Sequence, residues 1–167
     1  MKSITDFIER KLGLKVNATK SQIGKPNQIK FLGYGYFKDK DKKYQAKPHK
    51  LSIQKLKRKL KALTNRKWSI SLDNRLKKLK QQIIGWVNYF RIAKIKTVLV
   101  EIDARLRKRV RVIIWKQWKK TRKRYESLRK LGANHQNAYR TANCRKGYQF
   151  VCGSPTIHAT ITNTDSN

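Results

Sequence analysis

Between residues 105 and 130 the chain carries Arg105, Arg107, Lys108, Arg109, Arg111, Lys116, Lys119, Lys120, Arg122, Lys123, Arg124, Arg129 and Lys130 against the single acid Glu126. Side chains of this type at this density are suited to phosphate. The guanidinium offers a planar fork to phosphate oxygens, the ammonium a mobile point charge, and each contact releases condensed counterions. Arg105, Arg109 and Lys116 fall within about one helix face, and Lys108, Arg111 and Lys119 on another. A second basic stretch holds Lys50, Lys55, Lys57, Arg58, Lys59 and Lys61, followed by Arg66 and Lys67 beside Trp68; a third holds Arg75, Lys77, Lys78 and Lys80. Cations spread over several helices suit a large, shaped polyanion such as folded RNA better than a single DNA groove. The candidate phosphate contacts are therefore Arg58, Lys59, Arg75, Lys78, Arg105, Lys108, Arg109, Arg111, Lys116, Lys119, Lys120, Arg122, Lys123 and Arg124.

The whole chain shares this bias. Its 167 residues hold 43 Lys and Arg against 9 Asp and Glu, a formal net charge of +34. Such a molecule repels itself, so a bound polyanion stabilises it. Regularly spaced apolar residues among the cations, as in Trp115-Lys116-Gln117-Trp118-Lys119-Lys120, separate it from a disordered basic tail. An apolar content of 38% allows a modest core, in one domain or two small ones. The four Trp and seven Tyr can pack by one face and stack on bases by the other, and their helical spacing beside Leu and Ile places most of them in the core.

Other chemistries find less support. Two-metal phosphoryl transfer needs clustered carboxylates. Asp39 with Asp41 lies in a lysine-rich turn, and Glu101 with Asp103 suits a helix N-terminus, so neither pair has the apolar flanks of a catalytic strand. His135, Cys144, Cys152 and His158 lack zinc-site spacing, and neither a metal nor another cofactor is expected. No apolar run approaches the roughly 18 residues that span a bilayer. Met1–Arg10 has charges throughout and no apolar signal core, and Cys144 and Cys152 make no disulfide framework, which together point to a reducing, intracellular compartment.

The elements that must position these cations are mainly α. Residues 1–47 read as a helix followed by a small antiparallel sheet: Ile4, Phe7, Ile8 and Leu12 at helical spacing, Gly13 as a stop, then strands at Leu14–Asn17, Ile29–Phe37 and Tyr44–Ala46, with residues 38–43 a solvated turn. Residues 48–146 read as a basic helical bundle. Ser52 is expected to cap a helix with Ile53, Leu56, Leu60 and Leu63 on one face, ended by Thr64-Asn65. Ser71 caps a second, with Asp73 in its first turn, a stripe of Leu72, Leu76, Leu79, Ile83, Trp86, Val87 and Phe90, and Gly85 allowing close backbone approach. Thr97 caps a third, whose buried stripe is Leu99, Ile102, Leu106, Val110 and Ile113. Gly132 reads as a helix stop, and Asn134–Ala142 as one more short helix. Residues 147–167 read as a strand at Tyr148–Val151 and a polar, frayed tail from Thr160.

Taken in order, these segments resemble the C-terminal part of group II intron reverse transcriptases. Lys15-Val16-Asn17, Lys20-Ser21 and Phe31-Leu32-Gly33-Tyr34 resemble the end of their palm. Gly85-Trp86-Val87-Asn88-Tyr89-Phe90, Ile102-Asp103 with Arg105-Leu106-Arg107, and Trp115-Lys116-Gln117-Trp118-Lys119 are similar to their maturase-specific region, the thumb or domain X. Leu128 with Leu131-Gly132, Arg145-Lys146-Gly147-Tyr148 and Ser154-Pro155-Thr156 complete the series, although Gln149 stands where the family often has Trp. The resemblance implies a module that binds group II intron RNA and assists its splicing, on surfaces that in the parent enzyme also hold an RNA/DNA duplex. It makes Arg105, Arg109, Arg111, Lys116, Lys119 and Lys120 RNA contacts and places Trp86, Tyr89 and Phe90 in the core, leaving open whether one of Trp115 and Trp118 is exposed to RNA. The family's fingers and its Tyr-Ala-Asp-Asp strand have no counterpart here, nor does its endonuclease extension after Asn163. The expectation is a fragment without polymerase activity, in a bacterial cytoplasm or an organellar matrix. Two alternatives stay open: the thumb subunit of a polymerase whose palm is separately encoded, and a general basic nucleic-acid-binding protein.

Overall fold

The computed structural model describes residues 2–17, 19, 21 and 23–161, which are mainly helical with one two-stranded sheet. They divide into two compact units, one formed by residues up to Ser52 together with Ile92–Lys94, the other by Ile53–Arg91 and the chain from Ile95 onward.

The first unit opens with α1 (Lys2–Leu12), closed at Gly13 by a positive φ of 61°, where a residue without Cβ is unstrained. Its apolar residues Ile4, Phe7 and Leu12 are exposed. The strand expected at Leu14–Asn17 does not form. Among the described residues no neighbouring strand offers it a ladder, and the Val16 amide instead donates to Glu9 Oε1 at 3.3 Å. The sheet pairs β1 (Tyr34–Lys38) with β2 (Tyr44–Pro48) antiparallel, from Tyr34 opposite Pro48 to Lys38 opposite Tyr44. Strand β1 starts later than the Ile29–Phe37 reading because Phe31 and Tyr34 close a tight turn through Leu32 (φ 47°) and Gly33 (φ 81°). The lysine-rich turn is organised rather than merely solvated. Asp39 accepts the Lys40 amide at 2.8 Å, the Gln45 side chain at 2.6 Å and the Lys94 ammonium at 2.7 Å. The Lys94 hydrogen bond, reinforced by the Lys40 amide, holds the Asp39 carboxyl below its ordinary pKa.

Helix α2 (Lys50–Leu63) begins two residues before Ser52. Strand β2 ends at Pro48, so the helix starts at once, and His49 Nδ1 accepts the Leu51 amide at 3.2 Å. Ser52 is therefore not the cap; its hydroxyl donates to the Gly33 carbonyl at 2.9 Å. Helix α3 (Leu72–Tyr89) starts as read, with Ser71 Oγ accepting the Asn74 amide at 3.3 Å. Leu79, Trp86 and Phe90 are buried, whereas Tyr89, placed in the core by the resemblance, is 51% exposed. It follows the inward-facing Trp86 by three residues but borders Phe90 only by its edge, at 4.8 Å between ring centroids. Gly85 is exposed and a Cβ there would meet nothing within 4 Å, so no close backbone approach depends on it.

Helix α4 (Lys96–Gln117) incorporates Thr97 in its first turn, without a side-chain cap. It buries two faces rather than the single stripe expected. Ile102 and Ile113 are buried with Leu99, Leu106 and Val110 half-buried, while Val112 and Trp115 enter a second cluster. That cluster is built with α5 (Thr121–Lys130), α6 (His135–Ala142), α7 (Tyr148–Val151) and α8 (Pro155–Thr160). It gathers Leu128, Ala133, Ala138, Val151, Cys152, Ile157 and Ile161 around Trp115, which is 1% exposed. Gly132, at φ 88°, ends α5, and Asn134 Oδ1 caps α6 by accepting the Asn137 amide at 2.8 Å.

The strand expected at Tyr148–Val151 is a helical turn. Its amides turn back on Gly147 and Tyr148, and Ser154 then caps α8 with Pro155 in the first turn. Thr160 and Ile161, expected in the frayed tail, are buried, and the remainder of that tail, residues 162–167, lies outside the described residues. Burial pushes the Cys152 thiol up to about 11 despite the nearby Arg111, Lys108 and Arg124 charges, so it is an inert core group. Leu128 is fully buried at the centre of the cluster. Leu128→Ala should cost about 2–5 kcal/mol of unfolding free energy, read by urea denaturation; a loss well under 1 kcal/mol would mean the cluster is not the core it is taken for.

Candidate nucleic-acid interface

The cations of the second unit divide into three environments. The first is internal. Arg75 is 2% exposed, and its guanidinium donates to the carbonyls of Leu63 (2.7 Å), Asn65 (2.9 Å) and Trp68 (2.6 Å). Desolvation lowers its pKa from the ordinary arginine value, and its Nε has no hydrogen-bond partner among the described residues. Arg111, 7% exposed, donates to the Ile161 carbonyl at 3.1 Å. Both were read as phosphate contacts from their place on basic faces. The structure corrects this: each is turned inward onto backbone oxygens, which a local charge pattern does not reveal.

Arg109 is half-buried and also points inward, onto Thr64 Oγ1 and the Lys61 carbonyl. Lys116 is exposed but donates to the Arg66 carbonyl at 2.9 Å. The face expected to carry Arg105, Arg109 and Lys116 toward a polyanion is thus, at Arg109 and Lys116, fastened to the end of α2 and the segment after it. Contacts from Lys57 to Glu101, from Thr64 to Arg109 and from Arg66 to Lys116 advance together along both segments, so α2 and α4 run parallel.

The second environment is the ion pair. Glu101 takes both Lys57 (3.0 Å) and Arg105 (2.8 Å), Asp103 takes Arg107 (2.7 Å), and Glu126 takes Arg122 (2.8 Å). The hydrogen bond from Lys57 holds the Glu101 carboxyl below its ordinary pKa, and that from Arg122 does the same for Glu126. These carboxylates are engaged with neighbouring cations at the surface.

The third environment is solvent. Arg58, Lys59, Lys108, Lys119, Lys120 and Lys123 are exposed. So is Lys78, whose ammonium lies 5.1 Å from the Trp68 ring centroid, a ring that the Arg75 guanidinium also approaches at 5.2 Å. Among these, Lys119, Lys120 and Lys123 are drawn together by the short break between α4 and α5, where Arg124 anchors the turn by donating to the Trp118 carbonyl at 2.9 Å. No side chain caps α5, so cations crowd the positive end of a helix, where an anion is favoured. The Lys116 bond to Arg66 brings Arg66 and Lys67 to the same place. The half-buried Tyr148 ring has the guanidinium groups of Arg66 (5.8 Å) and Arg124 (5.9 Å) over it, while Arg124 also covers Trp115 at 5.0 Å.

Arg66, Lys67 and Tyr148 were absent from the candidate set. The Arg66-Lys67-Trp68 run carried the signal, but the approach of Tyr148, some eighty positions on, is tertiary. Arg58 and Lys59 on α2 and Lys108 on α4 lie outside this patch in sequence and in contacts. Neither Trp115, which is buried, nor Trp118, half-buried against the core, is the exposed stacking ring left open above. His135, one of the imagined zinc ligands, shares a hydrogen bond with the Tyr125 hydroxyl through Nδ1 at 2.8 Å and stacks on Tyr139. Among the described residues no group of His, Cys, Asp and Glu is placed to hold a metal, and no helix is long and apolar enough to cross a membrane.

With this geometry in place, comparison with known families adds one match. Residues 53–132 fit the family model of the group II intron, maturase-specific domain, a span that begins where the second unit begins. No curated protein matches the chain.

The three environments make separable demands. Arg75→Met removes three charge-assisted hydrogen bonds; the Asn65 and Trp68 carbonyls keep the Trp68 and Ile70 amides, and that of Leu63 loses its side-chain donor. It should lower unfolding free energy by about 3 kcal/mol, whereas Lys78→Met, at an exposed position, should change it by about 0.5 kcal/mol or less. Equal effects in chemical denaturation would mean that Arg75 is not a structural cation.

Proposed function

We propose, taking residues 53–132 as a group II intron maturase-specific domain, that this chain binds group II intron RNA and assists its splicing. The observation that carries the reading is the patch of Lys119, Lys120 and Lys123 with Arg66 and Lys67, exposed on a unit whose Glu101 and Asp103 are paired on α4 and whose Glu126, beside the patch, is paired with Arg122. A folded intron packs phosphates against one another. Cations held at fixed positions on a helical scaffold lower that repulsion where the RNA fold needs it, and counterion release drives the association. Lys108, Arg58, Lys59 and Lys78 extend the contact to separate parts of a shaped RNA, and Arg66 and Arg124 keep Tyr148 oriented beside the patch. The chain acts by binding, and the chemistry of splicing belongs to the RNA.

Two measurements bear on this. Replacing Lys119, Lys120 and Lys123 together by Gln should reduce the slope of log affinity against log salt by about 2–3 for a folded RNA, with thermal stability unchanged, since these side chains face solvent. An unaltered slope would remove the patch from the interface. Across a salt series, the chain should also prefer a group II intron RNA over an unrelated structured RNA of equal length, and keep the preference at physiological salt. Equal affinities that fall together with salt would reduce the protein to a general basic RNA binder.

A further inference from the structure

Helices α2 and α4, which run parallel, leave between them a groove of about 560 Å³. Each helix offers it one face. On α2 the lining positions are Gln54, Lys57, Arg58 and Lys61, and on α4 they are Ile102, Arg105, Leu106 and Arg109, in both cases the spacing of a single helical side. Leu60, Ile102 and Leu106 make an apolar floor, and the charged residues make two basic rims.

The rims are not equivalent along their length. At one end Glu101 pairs with both Lys57 and Arg105. At the other, Arg109 is tied to the Lys61 carbonyl and to Thr64. Arg58 between these ends and Lys61 at the second are exposed, with no acid among the described residues paired to either side chain. A small inorganic anion would leave the apolar floor wet, and a neutral apolar molecule would leave the cations unmatched. The complement is a flat, weakly polar body carrying an anionic group. The volume falls within the range of about 300–1,000 Å³ of small-molecule sites and is ample for one nucleotide. An amphipathic acidic helix is a poorer match, because three floor residues supply too short a run for anchors at i, i+3, i+4 and i+7.

We infer that this groove receives an unstacked nucleotide from a single-stranded RNA segment, its base on Leu60, Ile102 and Leu106 and its phosphate on Arg58 and Lys61. The inference rests on the RNA-binding reading above and deepens it. A paired base cannot lay a face on the floor, because its faces are stacked and its Watson–Crick edge is paired within the helix, so the groove selects loops, bulges or strand ends. It adds a contact to the base, which the Lys119–Lys123 patch, reading phosphates, does not make.

The full chain can be titrated with a single-stranded oligoribonucleotide, with a strand of the same length bearing internal abasic sites, and with the corresponding duplex. The first two carry the same phosphates and differ in bases. The base-bearing strand should bind about tenfold more tightly than the abasic one, and Leu106→Trp, which fills the groove, should abolish the difference. Should that variant fold poorly, the wild-type chain serves: photocrosslinks from a thiouridine-bearing strand should map to peptides spanning residues 54–61 and 102–109. Equal affinity for the two strands, or crosslinks confined elsewhere, would overturn the groove assignment. The RNA-binding reading would still stand if both strands and the duplex bind with salt-dependent affinity, and absence of binding to every RNA would overturn both. An acidic amphipathic peptide that binds through Leu106 while the two strands bind alike would assign the groove to a protein ligand and equally overturn the inference.

Discussion

The arrangement of the second unit depends on cations bound to backbone carbonyls at the end of α2. Forty-three basic residues cannot be neutralised by nine acids, so the fold needs another source of negative potential. The last turn of a helix is one, since its carbonyls carry partial negative charge and lack intrahelical donors. Here Arg75 from α3 takes the carbonyls of Leu63, Asn65 and Trp68, Arg109 from α4 takes that of Lys61, and Lys116 takes that of Arg66. One segment of about eight residues thus receives a cation from each of the two following helices. The contacts add charged donors to carbonyls at and beyond the helix end, two of which, those of Asn65 and Trp68, also accept backbone amides; they fix α4 parallel to α2 and convert three potentially repulsive charges into fastenings.

This constraint also explains which cations remain outside. A basic residue on α4 that reaches α2 or the C-terminal cluster is consumed by a carbonyl, as Arg109 and Arg111 are; one that follows the helix end, as Lys119 and Lys120 do, has no such partner in reach. The acids are distributed with the same economy. Glu101 and Asp103 sit beyond the first turn of α4, which holds no acid, and each pairs with a basic residue one turn on. Past Arg107, which pairs with Asp103, the remaining cations of α4 find carbonyls or face solvent.

Local chemistry was legible wherever it was sufficient. Ser71, Gly13 and Gly132 act as read because a cap or a left-handed turn involves only a few adjacent residues. Ser52 and Thr97 misled for a related reason: a hydroxyl before an apolar run marks a possible cap, but β2 feeds α2 directly at Pro48, and α4 begins at Lys96 without any side-chain cap. The strand reading of Tyr148–Val151 failed because four alternating residues fit either period, and Ser154-Pro155 close behind favours a chain of short helices. Arg75 and Arg111 were illegible in principle. Their spacing is that of a basic surface face, and only carbonyls distant in sequence or beyond the helix turn them into core residues.

A chain built this way couples folding to its polyanion. Repulsion among the exposed cations opposes compaction, while the carbonyl fastenings and the Trp115–Leu128 cluster favour it. Anything anionic that binds the folded surface and not the dispersed chain shifts the balance toward the fold by mass action. Stability should therefore depend on salt in two opposed ways. Added salt screens the self-repulsion of the free protein and raises its stability, yet weakens a bound RNA's hold and removes the stabilisation that RNA confers. The internal cations are outside this competition, being held by short hydrogen bonds in places that salt screens poorly. The separation of Arg75, Arg109 and Arg111 from Lys119, Lys120 and Lys123 is what allows one basic sequence both to fold and to keep charge available at its surface.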